Sequence, residues 1–322
     1  MRATVKAILL AAVLAALAWC AKAPPAVTLD RDDAAATLTV LIGGRPALTF
    51  QYGESLDIAH YWPMRSPSGR QLLVQRTEPY PHHRSLWFAD TVRLEGHREA
   101  DFYNALYSGA RTEDGGYGPP FSDRIRHLGF LVLEAAGPRA VVESELVWEM
   151  DGSLPVLEER RRLVVHSLGD GECLLDIEWT LKAAHGDVHF TSDDVHYAWP
   201  YLRIDPAFSG ENGGTISSDA GAKGQEATNM KPALWIDYSN SVEGVAEGVA
   251  VFQRPDGRVR RWLTREYGTF GPRRPDELSG RPFVLKTGKS ISQRVGVLVH
   301  KGDVERGLVR ERYARYAAGA WD

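Results

Sequence analysis

The chain has 322 residues, of which 43% are apolar, 10% aromatic and 25% charged, and its formal net charge is −4. This much apolar and aromatic material can build a packed core, which excludes an intrinsically disordered protein. The slightly acidic charge and the lack of a long basic run argue against a nucleic-acid partner. Two cysteines cannot form a disulfide framework, and their spacing matches no zinc motif.

The first 23 residues have the pattern of an export signal. Arg2 and Lys6 precede a short, uncharged and mostly apolar run, which falls below the ~20 residues that a membrane-spanning helix needs. We predict a signal peptide at 1–23 and a single β-sandwich domain at 24–322, without a transmembrane span. Lipidation of Cys20 and a retained anchor are the alternatives. Each version places the protein in the periplasm or outside the cell.

The rest of the chain shows the alternation of apolar and polar residues that is typical of β-strands. In chain order, we predict strands at 37–42, 71–76, 85–89, 126–133, 141–150, 173–181, 235–238, 249–253 and 291–299. Turn-forming pairs such as Gly43-Gly44 and Asp256-Gly257 separate them. Strands and helices do not alternate, so the predicted fold class is all-β, a large antiparallel β-sandwich.

One helix is predicted, close to the C-terminus. Asp303 is its expected N-cap, and Leu308, Val309, Tyr313 and Tyr316 form an apolar stripe at helical spacing. The longest irregular stretches, 96–122 and 209–231, are rich in glycine and polar residues. Loops of this length are typical either of walls around a site or of mobile surface.

The segment at 79–88 carries the most conspicuous candidate site, because His82, His83 and Arg84 come just before an aromatic strand. Histidine exchanges protons near neutral pH and also ligates metals, while Arg84 and Trp87 offer anion binding and stacking. In an extended segment the two histidines would point to opposite faces, so one site uses both only where the loop bends. The alternative is a pair of structural loop histidines.

A buried carboxylate is the second candidate. Strand alternation places Glu159 and Arg161 on one face with Leu157, Leu163 and Val165. A carboxylate in such an apolar row must be paired or lie in a cavity. Two interpretations follow: a structural ion pair with Arg161, or an acid, base or ligand-binding group in a cleft.

Further candidates are single residues. His127 is expected on the strand face opposite Leu128 and Phe130, where it could transfer protons. Arg203 and Arg265, the latter followed by Tyr267, are candidates for carboxylate recognition because the guanidinium offers a planar, bidentate pair of donors.

A metal site has little support. His189, Asp193, Asp194 and His196 could surround a divalent cation, but their spacing fits no established metal motif, so no cofactor is expected. Cys173 is interpreted as a small buried core residue, and not as a nucleophile.

Several segments resemble, in the same order, a family of exported bacterial proteins commonly labelled "methane oxygenase PmoA". These segments are 81–88, 96–104, 125–127, 157–161, 201–203, 235–239, 265–268 and 299–302. The His-His-Arg sequence with its following tryptophan is the most specific. Two positions depart from the family pattern: Ser85 stands where glycine is usual, and 253–257 replaces a segment that usually carries His-Pro and Asn.

The oxygenase label fails a physical test, because a membrane subunit of methane monooxygenase needs several spans of ~20 apolar residues and the mature chain has none. We therefore treat the label as a misnomer. The resemblance implies carbohydrate-related chemistry and a β-sandwich similar to the galactose-mutarotase-like supersandwich.

The leading hypothesis is an exported enzyme that performs acid/base chemistry on an oligosaccharide, with hydrolysis, elimination and epimerisation left open. The alternative is a non-catalytic, periplasmic or surface glycan-binding protein, and a weaker one is a metal-dependent oxidoreductase. The expected catalytic residues are His82, His83, His127 and Glu159. The expected substrate-binding residues are Arg84, Trp87, Arg203, Arg265 and Tyr267. The catalytic hypothesis requires these groups to meet in one cleft.

Overall fold

Two eight-stranded antiparallel sheets form the body of the protein in a computed structural model that describes residues 23–192, 197–275 and 282–321. The strands of the first sheet, numbered in chain order and given in spatial order, are β1 (Val27–Asp32), β2 (Thr37–Ile42), β3 (Arg45–Gln51), β4 (His60–Met64), β5 (Leu86–Trp87), β15 (Tyr201–Arg203), β20 (Thr269–Pro272) and β19 (Trp262–Thr264). The strands of the second sheet are β10 (Arg124–Ala136), β11 (Arg139–Met150), β12 (Leu154–Gly169), β13 (Glu172–Lys182), β22 (Ser290–Lys301), β18 (Val245–Gln253), β17 (Trp235–Val242) and β16 (Thr215–Ser218).

Smaller elements flank these sheets. A four-stranded sheet contains β21 (Phe283–Leu285), β14 (Val188–Phe190), β6 (Thr91–Leu94) and β7 (Glu99–Asp101), and a two-stranded sheet contains β8 (Gly109–Arg111) and β9 (Tyr117–Phe121). The helical segments are α1 (Gly224–Thr228), α2 (Val309–Ala317) and the short 3-10 helices Ala105–Ser108, Pro206–Phe208 and Gly210–Asn212. This architecture confirms the predicted antiparallel β-sandwich with a short C-terminal helix.

The core lies between the two large sheets, where inward-facing residues of both form one buried cluster. Phe88, next to β5, contacts Trp148 of β11 and Trp179 of β13, with ring centroids 5.7 and 5.3 Å apart. The two tryptophans are fully buried, and burying such large side chains is the dominant stabilising contribution to a fold of this kind.

The outer face of the second sheet is covered at one end by α2. A second cluster joins Trp235 and Phe252 of the sheet to Val309 and Tyr316 of the helix. Asp176 is one of the polar residues that alternate with apolar ones along β13, yet it is only 3% exposed. It accepts a hydrogen bond from the Tyr316 hydroxyl at 3.1 Å, because the helix lies on that face of the strand.

The N-terminal boundary of α2 differs from the prediction. The helix begins at Val309, after Leu308 with a φ of +49° and no side-chain cap. The expected cap, Asp303, instead accepts a hydrogen bond from the Arg306 backbone amide at 2.9 Å in the preceding turn. The predicted stripe is confirmed at Val309 and Tyr316, which are buried, whereas Leu308 is 51% exposed.

The predicted strand at 71–76 is absent from the described residues, in which this segment forms only isolated bridges from Gln71 to Arg65 and from Leu73 to Ile204. Arg76 has a φ of +52°, and this left-handed conformation interrupts extended backbone. The chain therefore turns before it reaches β5.

In residues 23–192, 197–275 and 282–321, no helix has the length and hydrophobicity needed to cross a membrane. The predicted signal peptide, apart from its last residue, and Cys20 lie outside the described residues.

Candidate functional site

A cavity of about 320 Å³ opens beside β19 and β20 of the first sheet. We call it the tyrosine–histidine pocket; its lining residues are Tyr80, His82, His83, Tyr103, Leu263, Arg265, Tyr267 and Thr269. It brings together four of the residues predicted from the sequence: His82, His83, Arg265 and Tyr267.

The loop before β5 bends so that both histidines reach this pocket. The Tyr80 amide donates to the Thr77 carbonyl at 3.0 Å, and the His83 amide donates to the Tyr80 carbonyl at 2.9 Å. These turns bring the rings of His82 and His83 together, with centroids 4.5 Å apart. The bend that a shared site requires is therefore present.

His83 is held on both ring nitrogens. Its Nε2 lies 2.8 Å from the Tyr103 hydroxyl, and its Nδ1 lies 3.4 Å from the Thr269 hydroxyl. The ring stacks on Tyr80 at a centroid distance of 5.0 Å. Only 2% of His83 is exposed, so its position and orientation are fixed by its neighbours.

His82 is half-buried and bonded on one nitrogen. Its Nδ1 lies 3.0 Å from the Tyr107 hydroxyl, and no described residue forms a hydrogen bond with its Nε2. When the Nδ1–H is donated to Tyr107, Nε2 carries the lone pair of a neutral imidazole.

Burial keeps both imidazoles neutral. It lowers the pKa of His82 to about 4, with Arg84 contributing, and the pKa of His83 to about 2, with His82 and Arg203 contributing next. Burial likewise raises the pKa of the Tyr103 hydroxyl well above its usual value. At neutral pH the pocket therefore holds two uncharged imidazoles and a protonated phenol.

Two arginines give the pocket positive charge. Arg265 is part of the lining. Arg203 lies behind Tyr267, with its guanidinium 4.5 Å from the ring centroid, and donates a hydrogen bond to the Tyr267 carbonyl. Arg203 is only 4% exposed, so it acts on the pocket through its charge and does not line it.

Helix α1 packs against the loop that carries Arg265 and holds it through hydrogen bonds to Glu266. The Gln225 amide donates to Glu266 Oε1 at 2.7 Å, and the Glu266 amide donates to Gln225 Oε1 at 2.7 Å. The hydroxyls of Thr228 and Thr264 are 2.8 Å apart. The long stretch at 209–231 thus forms part of the support of the site, and the stretch at 96–122 supplies Tyr103 and Tyr107.

Arg84 and Trp87 have structural positions, in contrast to the expected contacts with substrate. Arg84 is 0% exposed and forms an ion pair with Asp57. Trp87 is also 0% exposed and stacks on Tyr201, with ring centroids 4.7 Å apart. Neither side chain lines the tyrosine–histidine pocket, because both point into the core.

His127 lies elsewhere, among aromatic rings. Its centroid is 4.7 Å from that of Tyr52 and 4.5 Å from that of Phe130. The expectation that His127 and Phe130 occupy opposite faces was wrong, because register shifts between His127 and Gly129 and between Phe130 and Val132 interrupt the alternation of β10. Burial, with Arg161 contributing, lowers the pKa of His127 to about 4.

Glu159 forms the structural ion pair that was one of its two interpretations. It is 2% exposed and accepts hydrogen bonds from Arg161 Nε at 2.7 Å and from Trp148 Nε1 at 2.8 Å. Like His127, it does not line the tyrosine–histidine pocket. Of the residues expected to share a single cleft, the pocket therefore contains His82, His83, Arg265 and Tyr267.

Within the described residues, no group of three His, Cys, Asp or Glu side chains is arranged to hold a metal ion. Of the expected cation ligands, His189 lies on β14, while Asp193, Asp194 and His196 lie outside the described residues. Cys173 is buried, and this burial raises the pKa of its thiol to about 12, as expected of a core residue.

Sequence reasoning missed Tyr80, Tyr103, Tyr107 and Thr269. Tyr80 lies inside the conspicuous segment at 79–88, and Tyr103 lies in one of the segments that carry the family resemblance, so the sequence could have identified both as site residues. It could not have identified Tyr107 and Thr269, because their hydrogen bonds to His82 and His83 depend on tertiary structure.

Solved structures with a similar fold include carbohydrate-active enzymes at low identity. The GH36 α-galactosidase AgaA from Geobacillus stearothermophilus, in complex with 1-deoxygalactonojirimycin, is 9% identical with a TM-score of 0.48, over 87% of this chain and 41% of that one. The galactosidase domain of the α-galactosidase–sucrose kinase AgaSK is 7% identical with a TM-score of 0.44, over 85% and 42%. A polysaccharide lyase is 10% identical with a TM-score of 0.36, over 82% and 34%.

The chain thus spans about two fifths of the length of the first two of these structures. Comparison with curated proteins gives no match. Residues 37–314 match the model of DUF6807, a family of unknown function. This match covers most of the chain, and the protein therefore belongs to the DUF6807 family.

Proposed function

We propose that this protein is an exported carbohydrate-active enzyme that performs acid/base chemistry on a saccharide bound in the tyrosine–histidine pocket. The observation that carries the proposal is the convergence of two neutral imidazoles, a protonated phenol and a guanidinium on one cavity. General acid/base catalysis needs one group that accepts a proton at the operating pH and another that donates one. Export is inferred from the signal pattern at 1–23.

The hydrogen bonds suggest a division of roles. His82 is the general base, since no described residue bonds to its Nε2 and its ring is neutral at pH 7. Tyr103 is the general acid, since its raised pKa keeps the phenolic proton in place. His83 positions Tyr103: its Nδ1 accepts from Thr269, and its Nε2–H is donated to the phenolic oxygen.

Two aromatic faces suit a sugar ring. Tyr80 and Tyr267 are half-buried at the pocket wall, with ring centroids 5.1 Å apart. Aromatic rings with a few well-placed polar groups are the usual composition of a small-molecule site. Arg265 adds a charged donor for hydroxyl or carboxylate oxygens.

The test is a screen of the full chain against neutral and acidic oligosaccharides, with product masses measured. We expect turnover that falls about 100-fold or more in His82→Gln and in Tyr103→Phe. The matched control is His97→Ala, because His97 is an exposed histidine outside the pocket, and it should retain full activity. Equal turnover by the wild type and both pocket variants would refute the proposed site.

A non-catalytic glycan-binding function is the second candidate, and the tyrosine rings at the pocket wall favour it. It predicts that wild type and His82→Gln bind the same saccharide with equal affinity, measured by calorimetry, and that neither forms a product. A product formed by the wild type alone would exclude it.

A further inference from the structure

We infer that the tyrosine–histidine pocket catalyses β-elimination on a saccharide that carries a uronate, with Arg265 holding the carboxylate. This inference rests on the proposed function and narrows both its substrate class and its reaction. It depends on two features of the described lining residues: Arg265 is present, and carboxylates are absent.

No Asp or Glu occurs among the described residues that line the pocket. Most glycoside hydrolases act through a pair of carboxylates that flank the scissile bond. Two nearby carboxylates outside the lining have other partners: the buried Asp57 is paired with Arg84, and the half-buried Asp101 accepts hydrogen bonds from Thr91 and Asn104. Histidine and tyrosine therefore remain as the proton-transfer groups, which disfavours hydrolysis by the usual two-carboxylate route.

Among the described residues that line the pocket, the one charged side chain is positive. This is Arg265, and the guanidinium of Arg203 lies behind the Tyr267 ring, whereas Arg84 is paired with Asp57. A concave, partly buried site with charge of one sign favours a ligand of the opposite sign. Arginine binds carboxylate with two parallel hydrogen bonds, so a sugar carboxylate complements this lining better than a neutral sugar does.

A uronate also has the chemistry that these groups can perform. Its carboxylate lies next to C5, and pairing that carboxylate with Arg265 stabilises the negative charge that develops when the C5 proton leaves. His82 Nε2 takes this proton. The electron pair of the C5–H bond forms a C4–C5 double bond, and the bond from C4 to the glycosidic oxygen breaks.

The leaving oxygen receives its proton from the Tyr103 hydroxyl. The products are a saccharide with a new hydroxyl group and an unsaturated uronate, and no water is added. The proton on His82 then returns to the Tyr103 phenolate through solvent, which restores the starting state. The step needs no oxidant, reductant or further co-reactant, so its atoms and electrons balance.

The experiment compares a uronate-containing oligosaccharide with the same compound after its carboxyl groups have been reduced to alcohols. The full chain is incubated with each, and ultraviolet absorbance and product mass are recorded. We expect absorbance from the conjugated double bond, product masses that sum to the mass of the substrate, and no reaction of the reduced compound.

The variants test the role of the guanidinium. Arg265→Met should lower turnover of the uronate by about 100-fold or more, and Arg265→Lys should restore part of it because it keeps the charge. Circular dichroism shows whether each variant folds. Tyr103→Phe, which keeps the ring, is a second variant for the case in which Arg265→Met does not fold, and it should lose the double-bond signal.

The outcomes separate the two levels of the proposal. Cleavage of the reduced compound, or product masses that sum to the substrate plus one water, overturns the elimination while the proposed acid/base function stands. Exchange of the C5 hydrogen in deuterated water without cleavage indicates epimerisation and also overturns it. Absence of turnover with every saccharide of the screen overturns the proposed function and the inference together.

Discussion

Histidine has two opposite electrostatic roles in this molecule, and the immediate neighbours decide which. His83 is surrounded by neutral hydroxyls and nearby cations, so it stays uncharged. His300 is as deeply buried, but its Nε2 lies 2.7 Å from Asp237 Oδ2. Burial alone would lower the pKa of His300, and the carboxylate outweighs it and raises that pKa. The same residue type therefore supplies a neutral imidazole in the pocket and half of a buried ion pair in the second sheet.

Because of the ion pair between His300 and Asp237, we expect the stability of the fold to decrease at alkaline pH. The folded-state pKa of His300 lies above the 6.5 of an unfolded chain, so between these values the folded state binds more protons, and the free energy of unfolding falls as the pH rises. Asp237→Asn should lower the free energy of unfolding by about 3 to 5 kcal/mol at pH 6 and flatten the loss above pH 6.5.

Urea unfolding measured from pH 6 to pH 9 checks this prediction. Ser239→Ala is the control, because the Ser239 hydroxyl donates to the other oxygen of Asp237 at 2.9 Å and its removal leaves the ion pair intact. An equally steep alkaline loss in Asp237→Asn would show that His300 is not the group responsible.

At the scale of elements, the pocket depends on a helix of one turn and a half. Helix α1 spans Gly224–Thr228 and is too short to be stable by itself. It contacts the loop next to the pocket through the reciprocal hydrogen bonds between Gln225 and Glu266. A brace of this kind limits the motion of the preceding residue, Arg265, and under the proposed function it would affect how tightly Arg265 holds the substrate.

Gln225→Ala should therefore weaken substrate binding more than it slows the reaction. The variant removes the side-chain acceptor for the Glu266 amide, so we expect KM to rise several-fold with kcat changed less than twofold. Steady-state kinetics on the substrate found in the screen measures both constants. Glu226→Ala, one position along the same helix, is the matched control, and a fall in kcat alone would contradict the bracing role.

For the whole molecule, acid pH is the expected weakness. Burial lowers the pKa of His60, His82 and His127 to about 4 and that of His83 to about 2. Between pH 6.5 and about 4 the unfolded chain binds more protons than the folded one. The free energy of unfolding therefore falls as the pH falls through this window. His300 adds nothing to this slope, because it is protonated in both states below pH 6.5.

His127→Phe tests this dependence outside the pocket. The variant keeps a ring between Tyr52 and Phe130 and removes one titrating group. Unfolding should therefore take up as much as one proton less, and the free energy of unfolding should change less steeply with pH. Chemical unfolding between pH 4 and pH 7 gives the slope for both proteins. His97→Ala is the control with an exposed histidine, and a slope in His127→Phe equal to that of the wild type would contradict the prediction.

The strands with regular alternation could be predicted from the sequence, and those that depend on tertiary partners could not. The row that contains Leu157, Glu159 and Leu163 was predicted on one buried face and lies there, because a two-residue period has a single geometric meaning in a sheet. The predicted face of Phe130 was wrong because the β-bulges of β10 leave no signal in the sequence. For the site, the sequence identified His82 and His83 but not their partners, since Tyr107 and Thr269 come from distant parts of the chain.

The pocket draws its lining from segments around residues 80, 103 and 265, and its support from a fourth near 225. No contiguous stretch of the chain contains the pocket, so it forms only when these four segments have folded together. Under the proposed function, a saccharide that binds there would select the native state over every partly folded one, and the free energy of that binding would be added to the stability of the entire sandwich. Resistance to unfolding would thus rise and fall with the supply of ligand, which would couple the lifetime of the protein to the presence of its own substrate.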